Sequence, residues 1–200
     1  EVNKYAMSSF DALGVFSPDE DRPTQACRPF DSTRNGLIPS GGGATLVVES
    51  YESAVNRGAP IIAEILGYGF SSNGGHISTP NVIGPSTAMR RAIEQAKLSP
   101  KDIEYINAHA TSTPIGDANE AKAIYEVFGE NGPYVSSTKS LTGHECWMAG
   151  ASEVIYSTLM MQNDFIAPNL NFENPDEDAK KINITGKTID KKFDIYLSNS

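Results

Sequence analysis

The sequence predicts a layered α/β fold with a mixed or parallel central sheet, and three observations carry that prediction. Short apolar, β-branched runs alternate with stretches of helical spacing along most of the chain. Gly, Pro, Ser and Asn cluster between these segments, where turns are needed. The chain has 200 residues, 39% hydrophobic and 20% charged, which suits one ordinary folded unit of one or two lobes with a core to bury.

Residues 7–43 are rich in Gly, Pro, Ser and Asp and read as loop, with one short helix over 8–13. Such a long irregular stretch lines a site or packs against structure lying elsewhere. Residues 44–49 (A-T-L-V-V-E) suit a buried strand, and 50–57 a helix that Gly58 ends. A second, longer strand is expected over 61–68, followed by a flexible loop, S-S-N-G-G-H, ending at His76. Met89, Ile93 and Ala96 stand at helical spacing within 85–97, and Ser99-Pro100 stops that helix before a buried strand over 103–107. Next come a helix over 117–128, a strand over 134–136, a long helix over 147–161 and a closing strand over 194–197. Residues 163–181 are polar, contain Pro168 and Pro175, and read as a surface excursion. There is no internal repeat and no low-complexity segment.

The net charge of −9 opposes a nucleic-acid or anionic-membrane role, because phosphate binding needs concentrated cations and those here are scattered. Lys180–Lys181 and Lys191–Lys192 are too short to change this. Two cysteines, Cys27 and Cys146, imply neither a disulfide framework nor a metal site, so a reducing, cytoplasmic compartment is the default. No apolar run approaches the ~20 residues of a membrane helix. The polar start at Glu1 is unlike a signal peptide, and the missing initiator Met leaves open a processed product or a piece of something longer.

His109 ends the strand Y-I-N-A-H, and His144 closes S-T-K-S-L-T-G-H just before a helix. Ligands of layered α/β folds gather at such strand-to-helix junctions. Two neutral imidazoles aimed at one carbonyl oxygen would stabilise an enolate or a tetrahedral intermediate; a surface or structural histidine is the competing reading for each. Lys139 lies five residues before His144 and Glu153 nine after it, so a buried Lys–Glu pair there would orient that histidine. An exposed lysine is equally open. Thr111 and Thr113 alternate after His109, so an extended backbone puts both hydroxyls on one side, against a polar ligand chain; alternatively one of them caps a helix. Asp117 and Glu120 stand where carboxylates favour a helix start, which is their simplest role. His76 has no partner pattern and is left to the surface or the rim of a site. Cys146 is two residues from His144, so the side chains diverge, and both cysteines read as small packing residues rather than nucleophiles.

H-A-T-S-T-P-I-G-D (109–117) with S-T-K-S-L-T-G-H (137–144) resembles the β-ketoacyl-[acyl carrier protein] synthase family, whose usual forms are H-G-T-S-T-P-x-G-D and x-T-K-x-x-x-G-H. R-P-F-D-S-T-R-N-G (28–36), G-G-G-A-T-L-V-V-E (41–49), G-Y-G (67–69), A-P-N-L-N (167–171) and L-S-N-S (197–200) extend the likeness over practically the whole chain, as a C-terminal half closest to the bacterial type I/II elongating enzymes. The resemblance implies a thiolase-like fold and a ping-pong condensation, in which a cysteine takes the acyl group and malonyl decarboxylation supplies the carbanion. It assigns His109 and His144 to the malonyl thioester oxygen, pairs Lys139 with Glu153, and gives Thr111 and Thr113 the phosphopantetheine arm. Asp117 and Glu120 match acidic positions near the site. Acyl carrier protein is the implied partner, a homodimer the usual assembly, and no metal or further cofactor is expected.

Three departures accompany the likeness. The family's nucleophilic cysteine belongs to an N-terminal half upstream of Glu1, so the chain alone is not expected to condense. The Gly-rich segment that follows L-S-N-S in the family lies past Ser200. The small-residue run usual after the second histidine is replaced by Glu145-Cys146-Trp147-Met148, where Trp147 either shapes an acyl pocket or, the favoured reading, fills the core. A non-catalytic partner subunit of the chain-length-factor type and a plain α/β binding module are the rival functions.

Overall fold

The computed structural model describes residues 2–75 and 80–200; His76 lies outside the described residues. Its centre is a four-stranded sheet built from β1 (Tyr105–Asn107), β2 (Tyr134–Ser136), β4 (Asn183–Ile184) and β6 (Tyr196–Ser198) in the order β4-β2-β1-β6. All three pairings are parallel, with Ile106 level with Val135 on one side and Leu197 on the other. The antiparallel pairing of named strands is a separate two-residue ladder, β3 (Phe165–Ile166) with β5 (Ile189–Asp190).

Strand alternation sorts side chains between two layers. Ile106, Val135 and Leu197 point into one core, where Met89 and Ile93 of α3 (Ile83–Gln95) meet Ala121, Ile124 and Val127 of α4 (Pro114–Phe128). Tyr105, Tyr134 and Tyr196 point the other way, toward Met160 of α6 (Ala149–Gln162), Ile166 and Phe193. Parallel sheets are covered on both faces, which is why β1 is buried at all of its positions.

The helices begin and end where local chemistry dictates. Pro114 at the first turn of α4 moves its start three residues ahead of the expected one, and Gly129 at φ 71° ends it. In α2 (Tyr51–Asn56) the Ser50 hydroxyl accepts the Ser53 N–H at 3.2 Å. Asn3 caps α1 (Lys4–Ala12) in the same way, so this helix starts earlier than the sequence suggests. A 3₁₀ turn, Cys146–Met148, precedes α6 and holds Trp147 outside it.

The two runs expected as strands over 44–49 and 61–68 correct the sequence reading. They join neither sheet and are largely exposed, Val47 at 90% and Ile65 at 68%. A strand needs a neighbouring edge for its N–H and C=O groups, and the described residues offer these runs none. The second run rests instead on α3, where Gly67 and Gly69 lie so near the carbonyls of Ala92 and Ala88 that any Cβ would overlap them. The 163–181 stretch is also more than a surface excursion, since it holds β3 and the buried Asn169 and Ala179.

Candidate active site

The site forms at the carboxyl ends of β1 and β2. His109 follows β1 after one residue, Ala108. His144 follows α5 (Lys139–Thr142) after Gly143, whose φ of 75° turns the chain. The His144 N–H donates to Ile38 at 2.7 Å and its carbonyl accepts from Ser40 at 2.9 Å, so the 37–40 segment fastens the turn. The two imidazoles meet edge to face, with ring centres 5.4 Å apart and an interplanar angle of 89°.

The Cys146 N–H donates to His144 Nδ1 at 3.3 Å. An Nδ1 that accepts carries no proton, so the neutral ring holds its hydrogen on Nε2, free to donate. Burial first, and the Lys139 charge second, push His144 down to about 4. His109 is held well below the ordinary histidine range by burial, then by Lys139, then by His144. Both rings are therefore neutral near pH 7, which is the form that donates without bringing a charge into the site.

Lys139 and Glu153 are each 1% exposed, which decides against the exposed-lysine reading. The ammonium donates to Glu153 Oε1 as a buried ion pair. Burial raises Glu153 to about 7, with Lys139 pulling in the opposite sense.

The acidic pair of α4 does more than meet a helix dipole. Glu120 takes the backbone N–H of His109 at 2.9 Å and of Ala110 at 2.6 Å, holding the turn that carries the first histidine. Asp117 is fully buried and accepts from the Phe30 N–H at 2.9 Å and the Thr113 N–H at 3.2 Å. Burial raises Asp117 to about 7 even though Arg34 stands 3.6 Å away. Arg34 also donates to the carbonyls of Asp31, Thr113 and Pro114 and to Asp176, tying the R-P-F-D-S-T-R-N-G loop to the start of α4.

The hydroxyls of Thr111 and Thr113 lie 3.2 Å apart on one side of the chain. The segment is not simply extended, because Ser112 between them sits at φ 72°. The Thr113 hydroxyl makes no cap to α4; it stands against Gly116, where a Cβ would overlap it.

Cys27 donates its thiol proton to the Lys139 carbonyl at 3.1 Å, and burial pushes its pKa up to about 12, as expected of a packing residue. Cys146 meets His144 through its backbone N–H, which donates to Nδ1, and through its thiol, which donates to the His144 carbonyl at 3.5 Å. Trp147 corrects the core assignment: it is 68% exposed, its ring edge-on to Phe10 at 6.0 Å, because the 3₁₀ turn rotates it away from the buried side of α6.

Residue-by-residue reading missed several supports. Asn107 bonds Thr138 and Ser157, both at 3.2 Å, and Asn169 bridges the Ser137 N–H and the Pro29 carbonyl. A polar residue closing an apolar strand was the available signal for Asn107. For Arg34 and Asn169 the signal was membership in a matched motif.

Comparison with known proteins follows the same outline. Residues 62–173 match the family described as β-ketoacyl synthase, C-terminal domain. The chain is 44% identical over 192 residues to 3-oxoacyl-[acyl-carrier-protein] synthase 1 of Escherichia coli K12, covering 96% of this chain and 47% of that protein. To synthase 2 of Staphylococcus aureus it is 41% identical, covering 100% of this chain and 50% of that protein. It thus spans about half the length of the curated relatives it matches. Among solved structures, a β-ketoacyl synthase from Burkholderia phymatum superposes with a TM-score of 0.92 at 39% identity, over 100% of this chain and 49% of that one. A type II polyketide ketosynthase, solved with its acyl-carrier protein, gives 0.87 at 33% identity, over 95% of this chain and 48% of that one.

Proposed function

The chain belongs to the β-ketoacyl synthase C-terminal domain family, with the thiolase-like fold of its structural neighbours, and on that premise we propose that it is one half of a 3-oxoacyl-[acyl-carrier-protein] synthase of fatty acid or polyketide synthesis. The observation that carries this reading is the pair of neutral histidines, edge to face, one of them with its proton on Nε2. In the proposed reaction a cysteine of the N-terminal half, outside residues 1–200, holds the acyl group as a thioester. Malonyl thioester binds with its carbonyl oxygen against His109 and His144. The C–C bond to the carboxylate breaks, carbon dioxide leaves, and the electron pair passes to that oxygen as an enolate, where the imidazole N–H groups stabilise the charge. The enolate carbon then attacks the acyl thioester, the C–S bond breaks and the cysteine leaves as thiolate. Lys139 and Glu153 orient the site, Glu120 and Asp117 hold the turns around it, and the Thr111 and Thr113 hydroxyls bind the phosphopantetheine arm.

Acyl carrier protein is the partner this chemistry requires, and its acidic surface calls for a basic patch on the N-terminal half, since this half is acidic. The working enzyme is a cytoplasmic homodimer that needs no metal or dissociable cofactor. A non-catalytic partner subunit has no chemical use for a buried lysine–glutamate pair beside two neutral histidines. In the full-length protein His109→Ala and His144→Ala should each lower malonyl decarboxylation about 10²–10³-fold, the usual effect of removing one oxyanion donor. An unchanged rate in both would overturn the reading.

A further inference from the structure

Glu145 departs from the small-residue run usual after the second histidine, and it is buried. A carboxylate removed from water needs donors. Helix α6 supplies two: the Ser152 hydroxyl donates to Oε2, and the Tyr156 hydroxyl to Oε1 at 2.9 Å. Residues four apart share a helix face, so Ser152 and Tyr156 grip the carboxylate together. The neighbouring stripe, Glu153 and Ser157, holds Lys139 and Asn107. One helix thus fastens both the lysine and the residue that follows His144.

The fastened turn is a strained one. Cys146, which is not glycine, sits at φ 53°, and in this conformation its N–H reaches His144 Nδ1. A left-handed residue persists only where its surroundings over-determine it. The clamp on Glu145 is such a surrounding, one residue away.

We propose that Glu145 is a positioning residue for His144. By tying the turn to Ser152 and Tyr156 it keeps the Cys146 N–H on Nδ1 and so keeps the imidazole proton on Nε2. This rests on the reading of His144 as an enolate-stabilising donor.

The test uses the full-length protein, malonyl-thioester decarboxylation and the ¹⁵N signals of the His144 ring. Glu145→Ala should lower kcat about tenfold, with KM for the malonyl thioester changed by less than about twofold, because orientation rather than binding is lost. Its ring nitrogens should move toward a mixture of tautomers. Glu145→Gln, which offers an amide oxygen and an N–H to the two hydroxyls, should restore kcat to within about threefold of the parent. The pair Ser152→Ala with Tyr156→Phe should reproduce Glu145→Ala. Parent-like kcat and ring signals in Glu145→Ala would overturn the proposal, as would a Glu145→Gln protein as impaired as Glu145→Ala. If His144→Ala itself leaves decarboxylation intact, the functional reading fails, while the ring signals of Glu145→Ala still report whether Glu145 sets the tautomer.

Discussion

Two regions of the molecule have nearly the same apolar character and opposite fates. Strand β1 lies between β2 and β6, is hydrogen-bonded on both sides and is buried on both faces. The runs over 44–49 and 61–68 are as apolar and longer, yet they carry no ladder and leave Val47, Val48, Ile62 and Ile65 more than half exposed. Covering each such side chain is worth about 1.5–3 kcal/mol, which is what a protein segment seated on this face would gain. Apolar character makes a run able to be a strand; whether it is one depends on the edge and the layer beside it.

The largest effect should come from the fully buried side of this contrast. Lys139→Met leaves Glu153 without its cation and should cost about 3–5 kcal/mol in denaturant unfolding, whereas Lys139→Met with Glu153→Leu should cost less than the single change. On the exposed side, Val47→Asp should change the stability of residues 1–200 alone by less than about 0.5 kcal/mol. In a full-length protein that covers this face, the same change should cost at least about 2 kcal/mol. Equal small effects in both forms would remove the argument that the face is covered.

A smaller effect concerns pH. His144 titrates at about 4 in the folded chain against an ordinary 6.5, so the unfolded chain binds its proton first as pH falls. The stability this residue contributes is present above 6.5 and lost as pH drops toward 4. His144→Asn should therefore lose about 1–2 kcal/mol less than the parent between those limits, after discounting for the ring's partial exposure. Glu153, raised to about 7, works in the opposite sense: its contribution is present below its ordinary 4.5 and fades as pH rises through 7. A smaller effect again is Trp147→Ala, where loss of the ring contact with Phe10 should cost about 0.5–1 kcal/mol, read as a small drop in Tm.

What depends on neighbours along the chain was already legible in the residues. Helical spacing located α3, α4 and α6 to within a few residues, the short strands at β1 and β2 stood out between turn signals, and two motifs brought His109, Lys139 and His144 forward as one group. Those signals are local, because a helix satisfies its own backbone and a motif states its spacing outright. Tertiary packing settled what depends on distant partners. Among the described residues it left the 44–49 and 61–68 runs without an edge, turned Trp147 outward, and placed Glu120 on the N–H groups of two residues ten and eleven positions earlier. It also set the His144 tautomer, through one N–H aimed by a left-handed residue. Sheet pairing, burial of charge and proton placement are relations between surfaces, and a linear pattern does not state which surfaces will meet.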